Sequence, residues 1–272
     1  MTVLMTPAPA CAVLRLHRFA VGVWVLIVVG VAGVLLWDLG PGASHAAADW
    51  KRDCGVHGCR WAGSISLYHG AYALAEFMIG SIPWLAAVWA GAAVGRELES
   101  GTVRLAWTQS LSPARWLATT LAVPAALLTA GTAVLVLLHR LLYDAHQVPV
   151  TWHWWAARTF TANGPAALAL PLLGLSLGTL TGLLLRRALP ASALALLGIG
   201  LALGALGEVR PHLWPWATGG PTAADVLAGP DAGHYHPASH FWPLQLTETA
   251  LVLALTAVLT ALAFRLLRRR AV

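Results

Sequence analysis

The sequence predicts an all-α, polytopic membrane protein of six spans, with both chain ends in the cytoplasm and a short helix joining spans two and three on that side. Three observations carry this. Only 10% of the 272 residues are charged while 58% are hydrophobic, whereas a soluble domain carries roughly 25% charged residues because its surface faces water. Apolar stretches of about 20 residues, enough to cross a bilayer as helix, recur along the whole length. The arginines fall between those stretches and are not clustered on a soluble face. No separate soluble domain is left, and residues 1–272 are expected to form one transmembrane unit.

The first span is expected over 19–37, preceded by Arg15, His17 and Arg18. Ala46, Ala47 and Ala48 offer small residues for signal cleavage, but the apolar core exceeds the 7–15 residues of a signal h-region, which favours an uncleaved anchor. Spans two and three cover 71–94, with Glu76 and Pro83, and 117–138, with Pro124. Span four, 162–185, ends at Arg186 and Arg187, and span five, 188–207, follows at once as a tight hairpin. Span six covers 244–264 and runs into Arg265, Arg268, Arg269 and Arg270. Prolines within spans are tolerated where neighbouring helices or water satisfy the freed carbonyls.

Orientation follows from the basic residues. With the N-terminus inside, the short cytoplasmic segments hold 11 of the 17 basic residues, and the long outer segments dilute the other six with seven acids. That is the positive-inside pattern, which puts both termini in the cytoplasm; a multi-pass protein of the plasma membrane is the expectation. The outer loops, 38–70, 139–161 and 208–243, hold ten of the eleven histidines. Many tryptophans, such as Trp37, Trp152, Trp154, Trp155, Trp214, Trp216 and Trp242, stand at span edges, where the headgroup belt favours them. The net charge of +6 suggests no nucleic-acid partner, because its arginines are scattered. Lys51 is the only lysine and has no glycine-rich approach, so the chain lacks a P-loop of its own.

The connector between spans two and three is the most informative segment. Arg96 to Glu99 extend the second span by a turn, and Gly101 ends it as a helix C-terminal glycine does. Val103 to Leu111 is a short amphipathic stretch with Leu105, Trp107 and Leu111 among polar residues. Ser112 and Pro113 are an N-cap and first-turn pair opening the next helix. On physics alone this segment is either an interfacial linker or a docking surface for a cytosolic partner.

The words of the sequence resolve that choice. Gly95-Arg96-Glu97-Leu98-Glu99-Ser100-Gly101-Thr102, then Arg104-Leu105-Ala106-Trp107-Thr108-Gln109-Ser110, then Ala114-Arg115-Trp116-Leu117, strongly resemble the permease subunits of actinobacterial ABC-2-type ABC transporters. A second stretch, Tyr235 to Gln245 with Glu248 and Thr249 beyond, resembles the run leading into their last span. Arg15-Leu16-His17-Arg18 is a shorter match to their N-terminal entry. The chain departs from the pattern at Val103, where histidine is frequent, and at Thr119-Thr120, where a lysine is usual. The resemblance implies a six-span permease, an exporter, that pairs with a second permease copy in the lipid bilayer and binds a separate ABC ATP-binding subunit. It implies no cofactor on this chain, ATP and magnesium belonging to that partner. It assigns Glu97, Glu99, Thr102, Arg104, Trp107, Thr108, Gln109, Arg115 and Trp116 to a coupling helix that seats in the ATPase.

Other residues leave alternatives open. Glu76 and Glu248 are acids within spans, and an intramembrane carboxylate marks a pathway or a pair. For both, a hydrogen-bonded structural role competes with a place on the substrate path. Cys54 and Cys59 in an exported loop favour a disulfide over zinc, since with His57 they supply three ligands only. His234, His236 and His240 have a spacing that could hold copper or zinc, but packing is the favoured reading and no metal is expected. No nucleophile–base constellation stands out, so the chain is not expected to be an enzyme. The rival functions are an intramembrane enzyme or metal protein using Glu76 or the outer histidines, and a passive scaffold or sensor.

Overall fold

The computed structural model describes residues 18–53, 63–103, 107, 112–145, 152–218, 226–229 and 233–271. Helix α1 spans Arg18–Trp37, α2 Ala43–Asp53, α3 Gly63–Glu99, α4 Pro113–Ala145, α5 Ala157–Ala162, α6 Ala166–Leu185, α7 Ala188–Val209 and α8 Phe241–Ala271. Among the described residues, six helical runs are long and apolar enough to cross a membrane: Arg18–Asp53, Gly63–Glu99, Pro113–Ala145, Ala166–Leu185, Ala188–His212 and Ala238–Arg269. The six expected spans all lie within these runs except the start of the fourth.

Several helices outrun the expected boundaries. Hydropathy sees only the apolar core, whereas a helix continues into the headgroups until capped. The first differs most, because the expected loop at 38–70 is helical over 38–53 and again from Gly63. Asp38–Gly42 forms a π turn, with the Ala43 N–H reaching the Asp38 carbonyl, and α2 follows directly. Pro41 within this turn has no N–H to donate, and a widened turn accommodates it. Span four starts later than expected, at Ala166, because α5 is a separate short helix ahead of it. The loop expected over 208–243 contains a small antiparallel sheet of β1 Ala217–Thr218, β2 Leu227–Ala228 and β3 His234–His236, in the order β1-β3-β2. Strands this short carry no periodic signal in the sequence.

Helix α6 stands at the centre. Fourteen of its twenty residues are buried, and it packs against α3, α4, α7 and α8. Apolar burial cannot select this arrangement, since lipid tails are as apolar as leucine; close backbone approach does. Gly174, Gly178 and Gly182 lie one turn apart along α6. A Cβ on Gly174 would strike the Pro83 carbonyl of α3, and one on Gly178 the Ala87 carbonyl. On α3, a Cβ on Gly95 would lie 2.8 Å from the Arg187 carbonyl carbon, at the turn into α7. That turn is tight: Arg186 takes a left-handed conformation (φ 55) and caps α6.

Helix α1 packs outside this core, on α3 and α4. Trp24 fits over Gly131 of α4 and donates its indole N–H to the Leu127 carbonyl at 3.1 Å. Near the end of α1, Asp38 is fully buried, and neither carboxylate oxygen has a hydrogen bond among the described residues. Hydropathy places Asp38 in an outer loop, so the sequence gives no sign of this burial. The start of α1, the end of α8 and the connector share one end of the bundle, because Phe19 and Glu97 line one cavity and Leu267 clusters with Val103 and Trp116.

Two outcomes test this packing. Gly178→Leu should cost about 3 kcal/mol or prevent folding, by overpacking the α3–α6 seam. Gly22→Ala, where the added carbon meets nothing within 4 Å, should change stability by no more than about 1 kcal/mol. Thermal melting of the detergent-solubilised protein reads both. Asp38→Asn removes an unpaired buried carboxylate while keeping its shape, and should raise the melting temperature.

Candidate coupling segment and intramembrane polar clusters

The end of α3 is built as the sequence suggests. The Ser100 N–H bonds the Arg96 carbonyl at 2.9 Å, and Gly101 takes a positive φ of 72 that a side chain resists. The Thr102 hydroxyl donates to the Glu97 carbonyl at 3.3 Å, closing the turn. Ser112 caps α4: its hydroxyl accepts the Arg115 N–H at 3.3 Å and its carbonyl the Trp116 N–H at 3.0 Å.

The acids of the connector have specific jobs. Glu97 Oε2 accepts the Trp116 indole N–H at 2.8 Å, tying the end of α3 to the start of α4. Glu99 Oε2 accepts the Ala188 N–H at 3.1 Å. A carboxylate there satisfies an orphan donor of α7 and complements its dipole. Trp107 meets Trp116 edge to face, with centroids 6.1 Å apart. Val103 is 3% exposed and shares a cluster with Val94, Trp116, Leu183 and Leu267. An apolar residue suits that setting, which gives the departure from histidine a physical reason.

Of the nine expected coupling residues, the structure links Glu97, Thr102, Trp107 and Trp116 by direct contacts, turns Glu99 to the start of α7, and leaves Arg115 projecting to the exterior. Arg104, Thr108 and Gln109 lie outside the described residues, as do most of the expected amphipathic stretch and the Cys54–Cys59 loop. What the sequence could not show is that Glu97 and Glu99 hold the connector to the spans; no spacing rule pairs either with its partner.

At the opposite end, polar side chains converge between α3, α4, α5, α6 and α8. Glu76, 8% exposed, accepts the Thr159 hydroxyl at 2.6 Å, and His139 Nε2 lies 3.8 Å from the same oxygen. His139 Nδ1 bonds Asn163 Oδ1 at 2.7 Å. Tyr72 lies beside His139 and stacks on Trp152 with centroids 3.6 Å apart. Glu248, fully buried, receives both Nε and Nη2 of Arg210, at 2.6 and 2.9 Å. Arg210 also donates to Thr161 at 3.3 Å and sits over the Phe160 ring. Gln245 bridges by donating to the Phe160 carbonyl at 2.5 Å and accepting the Ala166 N–H at 3.2 Å. Both acids therefore have specific hydrogen-bond partners at this end of the bundle. No spacing in the sequence pairs His139, Asn163 or Arg210 with these acids, although a histidine and an arginine at span edges are the partners a membrane acid calls for.

The outer histidines do not converge on an open ligand position. His236 Nε2 bonds the Pro211 carbonyl at 2.9 Å, and its Nδ1 meets His240 Nδ1 at 2.8 Å. Trp216 packs over the His236 ring with centroids 4.0 Å apart. Among the described residues no group of three or more His, Cys, Asp or Glu is disposed to hold a metal.

The Arg210–Glu248 pair gives a direct prediction. Arg210→Met leaves a buried carboxylate unpaired and should cost about 3 kcal/mol of stability; adding Glu248→Gln should recover part of that loss, because the charge is gone. Melting curves of the single and double variants check the order.

Searches of curated proteins and of solved structures gave no match. A family model described as ABC-2 membrane transporter related matches residues 21–210, which runs from the first turn of α1 to the end of α7 and includes the connector with the residues placed above. The stretch at 235–245 lies beyond the matched range. Six membrane-crossing helices, a connector built into the ends of α3, α4 and α7, and that match together place the chain in the ABC-2 membrane transporter related family, as the membrane-spanning permease component of an ABC transporter.

Proposed function

We propose that the chain is the permease of an ATP-driven exporter in the plasma membrane, docked through its 96–116 connector onto a separate ATP-binding subunit in the cytosol. Residues 1–272 work as one transmembrane unit, paired with a second permease copy and surrounded by lipid, and the cargo path lies between the two permeases. ATP and magnesium belong to the partner, which is where the missing P-loop lysine must be supplied.

The observation that carries this reading is the double attachment of the connector. A segment that only linked two spans would need no bond to a third helix. Here Glu97 joins α3 to α4 and Glu99 joins α3 to the start of α7. A push on the connector from an ATPase would therefore reach three spans at once. The arginines favour this end as the cytosolic one: Arg18, Arg96, Arg115, Arg186, Arg187, Arg265, Arg268 and Arg269 stand on helix ends here. Exposed Arg115 and Thr102 are the described residues best placed to touch the partner, while Glu97, Glu99 and Trp116 transmit.

The enzyme or metal reading gains no comparable support. Glu76 is engaged by Thr159, and both ring nitrogens of His236 have protein partners. We assign Glu76 and Glu248 to holding the far end of the bundle; the disulfide between Cys54 and Cys59 remains part of the proposal for the exported loop.

Co-expression with the ATP-binding subunit tests the reading. Arg115→Glu or Thr102→Arg should abolish co-purification, and a stable complex unaffected by both changes sinks the docking proposal. Trp116→Phe keeps the ring but loses the bond to Glu97. It should leave the complex intact while lowering permease-stimulated ATP hydrolysis about tenfold, the scale of one hydrogen bond to a charged group.

A further inference from the structure

We propose that the crevice between α1 and α3, near the connector end, binds one anionic phospholipid of the surrounding bilayer, with an acyl chain between the helices and its phosphate on Arg96. This goes beyond the transporter reading, because a lipid held here needs no ATPase.

The crevice is a cavity of about 430 Å³. Phe19, Val23 and Trp24 line it from α1, Leu85 and Trp89 from α3, and Leu128 of α4 closes one side. Its walls run about 12 Å along α1 and about 18 Å along α3, from the rise per residue, so it is a long apolar slot shaped for a single chain. Trp24 spends its N–H on the Leu127 carbonyl and so turns an apolar ring to the slot. The slot opens sideways, since Phe19 is 83% and Leu85 42% exposed. Those residues stand at membrane depth, and what reaches them from the side is hydrocarbon.

Chemistry at one end selects the headgroup. Arg96 lines the slot, is exposed, and has no ion-pair partner among the described residues. Its neighbour Glu97 also lines the slot but is held by the Trp116 indole N–H. Arg18, at the start of α1, adds a second exposed cation beside Phe19. A guanidinium with no ion-pair partner among the described residues, at the headgroup end of an acyl-sized slot, suits a phosphodiester by bidentate hydrogen bonding. The other arginines of this end raise the local concentration of anionic over zwitterionic lipid. Water fits poorly, because nearly the whole lining is apolar.

Native mass spectrometry of the protein, released from vesicles of equal phosphatidylglycerol and phosphatidylcholine, tests the site. The wild type should retain one phosphatidylglycerol, enriched about tenfold over phosphatidylcholine, the scale of one charge-assisted contact. Arg96→Gln should erase the preference and Arg96→Lys should keep most of it. Ala93→Trp, which fills the slot, should lower retention of both lipids. Leu85→Trp at the rim is the second blocking variant should the first fail to fold, as judged by its melting curve. Equal retention of both lipids by the wild type means ordinary annular lipid and overturns the proposal, as does unchanged retention in folded Arg96→Gln. A lipid-free two-chain species lost in the blocking variants would mean that a second copy covers the slot, and would overturn it equally.

Discussion

The close approach of α6 to α3 is the constraint on which the remaining structure depends. In a membrane the lipid competes equally for every leucine face, so helices associate where small residues let backbones come near. Gly174, Gly178 and Gly182 remove every side chain from one seam of α6, and carbonyls and amides of Pro83, Ala87, Gly91 and Gly95 occupy the space. This seam lets α3 lie against α6 along its length, and fourteen of the twenty α6 residues are buried. It also sets the spacing at both ends. At one end Gly95 seats on the Arg187 carbonyl, which brings the α7 start within reach of Glu99.

At the other end the seam brings α5 and the start of α6 against α3, so that Thr159 and Asn163 meet Glu76 and His139. Polar groups at this depth are costly unless paired, and once paired they fix the register of the helices that carry them. Arg210 and Glu248 do the same for α7 and α8. The bundle is thus pinned by directional bonds at both ends and by backbone proximity between them. Helix α1 lies outside this frame, and the space left beside it near the connector is the crevice.

The connector shows how local and tertiary signals divide the work. Gly101, Ser112 and Pro113 act within a turn of chain, and their roles as stop, cap and start were legible from residue type alone. The bonds of Glu97 to Trp116 and of Glu99 to Ala188 span 19 and 89 residues, and no local rule anticipates either. The same holds for Val103: a departure from the family pattern in the sequence is, in three dimensions, a buried residue of an apolar cluster.

By itself the sequence determined the class, the six spans and the family, because bilayer thickness dictates span length and because a run such as Arg96 to Gln109 is specific as words. It could not place Asp38, whose hydropathy belongs to a loop while Pro41 and a π turn carry it into the core. Nor could it show that Glu76 bonds Thr159 and Glu248 bonds Arg210. Those partners depend on which helix faces which, and only the packing of α6 among α3, α4, α7 and α8 decides them.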